Sequence, residues 1–226
     1  ASDRDGARVS VRDRKHAMNN PHAQLRKEVT LEEVLASPML ADPIHLLDVC
    51  PRTDGACAVI YAVEKKAKEI ARTPVWVRDH ITVHREETFC MFGYNEKYPV
   101  PMTHRFAAEQ LFKRNGIKNP VDYFDVFEMY DPASWWAVDW LRDFFQLKGD
   151  EHLRLVENRE IMIGGKIPVN PSGGVIASNP IGATALVRIA EAALQVRGDA
   201  GKHQIPTPVN HALASGFGGT MWTVLT

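Results

Sequence analysis

Cysteine is scarce in this chain: Cys50, Cys57 and Cys90 are three in 226 residues, an odd number with no C-x-x-C pair. That excludes a disulfide framework as the organising principle and fits a reduced compartment. Long apolar runs are missing too. None approaches the roughly 18 to 20 residues of a membrane span, and the N-terminus lacks the apolar core of a secretory signal. Excess charge of either sign is also absent: 27 basic residues face 28 acidic ones, for a net charge of −1 without a dense Lys/Arg run. Nucleic acid is therefore not the expected partner. These absences set the expectation of a cytoplasmic protein with no membrane or nucleic-acid partner. What remains is 45% hydrophobic and 24% charged, enough to bury a core in one or two domains.

The most informative stretch is Asn170-Pro-Ser-Gly-Gly-Val-Ile-Ala-Ser-Asn-Pro-Ile-Gly-Ala-Thr184. Gly173 and Gly174 permit turns and close backbone approaches, and Pro180 suits a first helical turn. From Gly182 to Val196 the apolar Leu186, Ile189, Ala190, Ala193, Leu194 and Val196 recur at three- and four-residue spacing, with Arg188, Glu191, Gln195 and Arg197 opposite. The pattern predicts an amphipathic helix whose unpaired N–H groups face the glycine turn, a setting suited to a carbonyl or enolate oxygen. Elsewhere, Thr30-Leu-Glu-Glu-Val reads as a capping box opening a helix that Pro38 limits. Residues 74–84 alternate like a half-buried strand, 106–115 read as a helix stopped by Gly116, and 124–128 as a buried strand. An aromatic helix at 133–145, an extended segment at 167–170 and a closing strand at 219–225 complete a βαβα-like, mixed α/β order. Residues 1–30 are polar, with little periodicity, and read as a surface lead-in.

Five blocks, in order, carry a family resemblance. They are Met18-Asn-Asn-Pro-His-Ala-Gln24, Cys50-Pro-Arg-Thr-Asp-Gly-Ala-Cys-Ala58, Phe124-Asp-Val-Phe-Glu-Met-Tyr-Asp131, Gly164-Gly-Lys-Ile-Pro-Val-Asn-Pro-Ser-Gly-Gly174 and Ala212-Leu-Ala-Ser-Gly-Phe-Gly-Gly219. Together they resemble the thiolase superfamily, in particular its sterol-carrier-protein type, over roughly the second half of a family member. The resemblance implies a layered α/β/α/β/α fold of which this chain covers mainly the C-terminal half. It makes residues 1–30 a polar lead-in, the remnant of the family's loop domain, and residues 31–226 the thiolase-like C-terminal domain. The N-terminal half, with the family's nucleophilic cysteine, would be supplied on the same or another chain. Implied partners are an acyl-CoA substrate, a second copy joined through the thiolase core, and a small zinc-ribbon/OB-fold acyl-CoA-binding protein that would hold any zinc. No metal site is expected in this chain and no covalently bound cofactor; coenzyme A enters as part of the thioester.

The catalytic pattern departs from the family at each position covered. Tyr130 stands for the histidine of a His-Asp-Cys-Phe loop, Pro132 for its cysteine, Asn179 for the histidine of Gly-His-Pro, and Leu213-Ala-Ser-Gly216 for a His-Asn-x-Gly motif. Without an imidazole, a cysteine of ordinary pKa near 8.5 is mostly protonated at neutral pH, so thiolysis is impaired. Thiolase-fold aldolases of steroid side-chain breakdown, which use tyrosines, are the nearest analogy. The resemblance then implies retro-aldol cleavage of a bulky β-hydroxyacyl-CoA, with Tyr130 and Asn179 catalytic. Gly173, Gly174, Ser215, Gly216, Gly218 and Trp135 would contact substrate or coenzyme A. Plain structural roles compete at each position: a packed ring at Tyr130, a helix cap at Asn179, a turn serine at Ser215, a core aromatic at Trp135. Cys50 and Cys57 read as small buried residues. A noncanonical acyltransferase and an inactive structural subunit remain the alternative functions.

Overall fold

The computed structural model describes residues 2–84, 103–218 and 221–226; Cys90 and Gly219 lie outside them. Its centre is a four-stranded sheet in the order β3 (His80–His84), β6 (Met221–Leu225), β5 (Ala212–Gly218), β4 (Val126–Glu128). The β3–β6 and β6–β5 pairs are antiparallel, and β4 lies parallel to β5, with Val126, Phe127 and Glu128 opposite Ala212, Leu213 and Ala214. A parallel pair needs a long crossover. Here it contains α6 (Ser134–Phe144), α7 (Glu151–Glu157), α8 (Gly174–Ala177) and α9 (Thr184–Arg197). Helices α4 (Thr103–Arg114) and α6 cover one side of the sheet and α9 the other, giving the α/β layering expected from the sequence.

Strand alternation divides the interior by chemistry. On one side Phe127 meets Phe144 and Phe145 edge-on at 5.0 and 5.5 Å, within a core that includes Leu111, Phe112 and Leu141. On the other, Val126 packs with Ile205 and Val209, while Glu128 reaches Arg188 of α9. Among the described residues no helix is long and apolar enough to cross a membrane.

The Thr30 capping box forms as expected: Thr30 Oγ1 accepts from Glu33 N–H, the Glu33 carboxylate accepts from Thr30 N–H, and α2 runs Leu31–Ala36. Helix α3 (Glu64–Ile70) also forms, with no residue buried. Of the strand expected over 74–84, His80–His84 forms β3, and Asp79 extends the pairing through backbone hydrogen bonds with Thr226 at 3.0 and 3.3 Å.

Residues 3–17 overturn the reading as a surface arm, while most of residues 18–30 are exposed. Asp3–Ala17 form helix α1, packed against α2, α6, α7 and α8, with ten of its fifteen residues buried. Sequence periodicity could not show this because six of the ten buried residues are polar, and several of them find their partners inside the protein. Arg12 pairs with Asp13 and Asp131, Ser10 donates to Asp48, and His16 meets the Asn170 carbonyl.

Helix α9 inverts the expected orientation. Thr184, Arg188, Glu191 and Gln195 are buried, whereas Leu186, Ile189, Ala190, Ala193 and Leu194 are only half-buried. Polar residues turn inward because partners wait there: Glu128 and Ser172 for Arg188, His203 and Asn20 for Glu191. Ala183 and not Asn179 occupies the N-cap of this helix.

Candidate active site

Asn170 joins β4 to the glycine turn. It adopts the left-handed region at φ 50°, its Oδ1 accepts from Met129 N–H at 2.6 Å and its Nδ2 donates to Asp131 at 2.6 Å. Asn170 N–H closes onto the Phe127 carbonyl at 2.8 Å. Its own carbonyl faces His16 Nδ1 at 3.0 Å, while His16 Nε2 accepts from Ile163 N–H at 3.2 Å. One ring nitrogen accepts, so the other carries the proton, and His16 is locked as the neutral Nδ1–H tautomer. Burial and the neighbouring Arg12 push its pKa down to about 4.

The glycine turn serves the interior. Gly173 sits at φ 93°, and a Cβ there would lie 2.6 Å from the Ala17 Cβ; at Gly174, φ 60°, it would lie 2.5 Å from Asn170 Nδ2. Both glycines are buried. The N–H groups beyond them are also taken, Gly174 by Ser172 Oγ at 3.3 Å and Val175 by Asp131 at 3.0 Å. Gly173 thus packs closely on α1, and Gly174 on Asn170 and Asp131. Nor does the turn feed directly into α9; it opens the one-turn α8, and α9 starts ten residues later.

Asp131 is fully buried, receiving Arg12, Asn170 and Val175, and burial followed by the adjacent Asp13 holds its pKa well above the usual carboxylate value. It is a structural anchor behind Tyr130. Ser215 lies on β5 and not in a loop, and its Oγ accepts from Tyr130 N–H at 3.0 Å, which fixes the backbone that presents the tyrosine. Gly216, on the same strand, is where a Cβ would come 2.6 Å from Ala185 Cβ of α9, so its smallness serves helix packing. Gly218 is exposed at the strand end, with nothing near a notional Cβ. Trp135 packs its indole against α1, where a Cβ on Gly6 would lie 2.7 Å from Nε1.

Tyr130 and Asn179 do converge, through a residue to which the sequence reading gave no role at the site. Cys50 donates its N–H to the Pro132 carbonyl, two residues after Tyr130, at 3.0 Å. Its Sγ accepts from Asn179 Nδ2 at 3.1 Å. Asn179, 3% exposed, is fixed on every other side. Its Oδ1 accepts from Thr184 Oγ1 at 2.7 Å, its N–H donates to Thr53 Oγ1 at 2.9 Å, and its carbonyl accepts from Thr53 N–H at 3.2 Å. Nδ2 keeps a second hydrogen for another acceptor.

Tyr130 is half-buried, its ring 6.1 Å from that of Phe217, and its hydroxyl has no hydrogen-bond partner among the described residues. Burial raises its pKa, and nearby Cys50 and Asp131 raise it further. Burial likewise raises the Cys50 thiol, only partly offset by the Asn179 hydrogen bond. Phenol, thiol and amide are therefore neutral hydrogen-bond donors at pH 7. The cluster can steady developing negative charge and deliver a proton; it supplies no ready base. Among the other candidates, His211 stacks on Tyr123 with ring centres 4.3 Å apart, and the described residues contain no metal-binding cluster.

The Thiolase C-terminal domain-like family matches residues 95–226. Acetyl-CoA acetyltransferase of Methanothermobacter thermautotrophicus is 38% identical over 200 residues, covering 88% of this chain and 51% of the relative. The 17-hydroxy-3-oxo-4-pregnene-20-carboxyl-CoA lyase of Mycobacterium tuberculosis is 29% identical, with the same coverage of 88% and 51%. This chain thus spans about half the length of these relatives. In fold it matches the solved Ltp2-ChsH2(DUF35) aldolase with a TM-score of 0.84 at 24% identity, over 100% of this chain and 58% of that one.

Proposed function

The chain belongs to the thiolase superfamily, and on that premise we propose that it is the enolate-stabilising, proton-donating half of a site that cleaves a carbon–carbon bond in an acyl-CoA thioester. The observation that carries this reading is the meeting of Tyr130 and Asn179 at Cys50, three neutral donors where the family's Claisen chemistry uses imidazoles. Donors without a base suit retro-aldol cleavage. A base outside this cluster takes the β-hydroxyl proton, the Cα–Cβ electron pair passes into the thioester enolate, and Asn179 Nδ2 hydrogen-bonds the oxygen where charge collects. Tyr130 then protonates Cα and regains its proton from that base. The products are a shortened acyl-CoA and an aldehyde or ketone, with no acyl-enzyme and no free coenzyme A consumed. The lyase relative supports this reaction and a bulky polycyclic acyl group.

The base and the remaining walls would come from an N-terminal thiolase half on the same or another chain. Exposed Ile60, Tyr61 and Val63 and the half-buried outer face of α9 are surfaces that this half would cover. A homodimer through the thiolase core, and a small zinc-ribbon/OB-fold partner of the kind suggested by the DUF35 component named with the aldolase neighbour, belong to the same proposal.

The test is to incubate the assembled enzyme with a β-hydroxyacyl-CoA and a β-ketoacyl-CoA, with and without coenzyme A, and to identify products by mass. Release of aldehyde or ketone without coenzyme A is the expected result. Strict dependence on coenzyme A would instead establish the acyltransferase reading, which the 38% identical relative favours. Inertness of an intact assembly toward both substrates would leave the chain a structural subunit.

A further inference from the structure

Packing leaves Asn179 one freedom. Its backbone is tied twice to Thr53, by its N–H to Oγ1 at 2.9 Å and by its carbonyl to the Thr53 N–H at 3.2 Å, and the residue is 3% exposed. The carboxamide can still turn end for end. Its two ends are nearly the same size, so packing does not tell them apart and hydrogen bonds alone decide which one faces the site. Nδ2 there offers a donor to developing negative charge; Oδ1 would oppose it. Cys50 does not settle the choice, because a thiol accepts from an N–H and donates to a carbonyl, weakly in both cases.

Thr184 settles it. The residue sits in the first turn of α9, fully buried, and its Oγ1 lies 2.7 Å from Asn179 Oδ1 and 2.9 Å from the Pro180 carbonyl. The hydroxyl has one hydrogen for two acceptors. Pro180 is already served by Ala183 N–H at 2.9 Å, whereas Asn179 Oδ1 has no other donor among the described residues. A separation of 2.7 Å is also the usual length of an O–H···O bond and short for N–H···O. The hydrogen therefore goes to Oδ1, which turns Nδ2 to Cys50 at 3.1 Å with its second hydrogen kept for another acceptor. A hydrogen bond accepted at the carbonyl also polarises the amide and strengthens its N–H groups as donors. The helix beneath is anchored: one turn on, Arg188 is held by Glu128 and Ser172, and Ala185 packs against Gly216 of β5.

We propose that Thr184 is a positioning residue for the cleavage reaction, acting through Asn179 by holding the amide with its Nδ2 end toward the oxygen that collects charge. The inference rests on the reading that Asn179 Nδ2 steadies the enolate. Without the hydroxyl, one end of the amide faces a methyl group whichever way it turns, and a Cys50 S–H donating to Oδ1 would hold it the wrong way round.

The test compares Thr184→Val, which keeps the shape and loses the hydroxyl, with Thr184→Ser, which keeps the hydroxyl and loses a methyl. In the assembled enzyme acting on a β-hydroxyacyl-CoA, Thr184→Val should lower kcat at least about tenfold with KM little changed, whereas Thr184→Ser should stay within about threefold of wild type. The reverse order, serine worse than valine, would make Thr184 a packing residue and overturn the proposal. With Asn179→Ala already in place, Thr184→Val should add nothing to the loss; a further loss of about tenfold would likewise overturn it. A second readout needs no turnover. The Nδ2 hydrogen bond favours the Cys50 thiolate, so iodoacetamide at about pH 8 should alkylate Cys50, followed by peptide mass, at least about threefold more slowly in Thr184→Val than in wild type or Thr184→Ser. Equal labelling of all three overturns the assigned orientation. Labelling in the predicted order by an enzyme that cleaves no substrate would strike the enolate reading and leave the orientation in place.

Discussion

Helices α6 and α9 flank the same sheet and bury opposite kinds of side chain. α6 turns Val138, Leu141 and Phe144 into an apolar core, whereas α9 turns Arg188, Glu191 and Gln195 inward and leaves Leu186 and Ile189 half-buried. The apolar side needs only shape, and tolerates changes of shape by degrees. The polar side needs matched partners: Arg188 with Glu128 at 2.6 Å and Ser172 at 2.7 Å, Glu191 with His203 at 2.8 Å, Arg12 between two aspartates. The candidate site hangs from the polar side. What the difference teaches is that shape alone holds the apolar side, whereas the polar side, where Thr184 of α9 bonds Asn179, depends on matched partners.

The largest effect separating the two sides should come from Arg188→Met, which leaves Glu128 buried and unpaired at a cost of about 4 kcal/mol in urea unfolding at pH 7. Burial already raises the Glu128 pKa to about 7 with Arg188 in place, so without Arg188 the carboxyl stays protonated to higher pH and the penalty should grow as pH rises above 7. Replacing Glu128 as well should recover most of the loss. Leu141→Ala on the apolar side should cost about 3 kcal/mol, nearly independent of pH, because a cavity has no titration. Equal pH dependence for the two variants would erase the contrast.

Gly173→Ala should cost about 2 to 3 kcal/mol, since the new methyl meets Ala17 and the backbone is left-handed. A mild effect would show that α1 packs less tightly there than described. His16 sharpens the comparison through pH. Its folded pKa is depressed from 6.5 to about 4, so its contribution to stability is complete above about pH 6.5 and is lost as pH falls toward 4. NMR of the His16 ring should show the neutral Nδ1–H tautomer throughout pH 5 to 7; a midpoint near 6.5 would contradict the clamp onto Asn170.

The sequence made the apolar side legible and left the polar side dark. The Thr30 capping box, the aromatic run of α6 and the stop at Gly116 are local signals, and each formed where expected. Hydrophobic periodicity assumes that charge faces water, so it put α9 inside out and took α1 for a surface arm. Arg12, Asp13 and His16 carry no pattern that distinguishes a solvated face from a buried network; their partners lie as much as 154 positions away. At the site, the positions of Tyr130 and Asn179 were legible from motif alignment. Cys50 was not, because its role depends on a contact with Asn179 across 129 residues. At Gly173 and Gly174 the neighbour that excludes a side chain is the protein itself, Ala17 for the first and Asn170 for the second, a contact no local pattern shows.

The central claim is the proposal that a neutral phenol, on a backbone fixed by Ser215 and close to Cys50, delivers the proton that completes cleavage. Its most direct test is single-turnover cleavage of a β-hydroxyacyl-CoA by the assembled enzyme carrying Tyr130→Phe, a change that removes one oxygen and keeps the ring packed on Phe217. The account predicts a rate lower by at least about a hundredfold with substrate binding unchanged. A near-normal rate would contradict it.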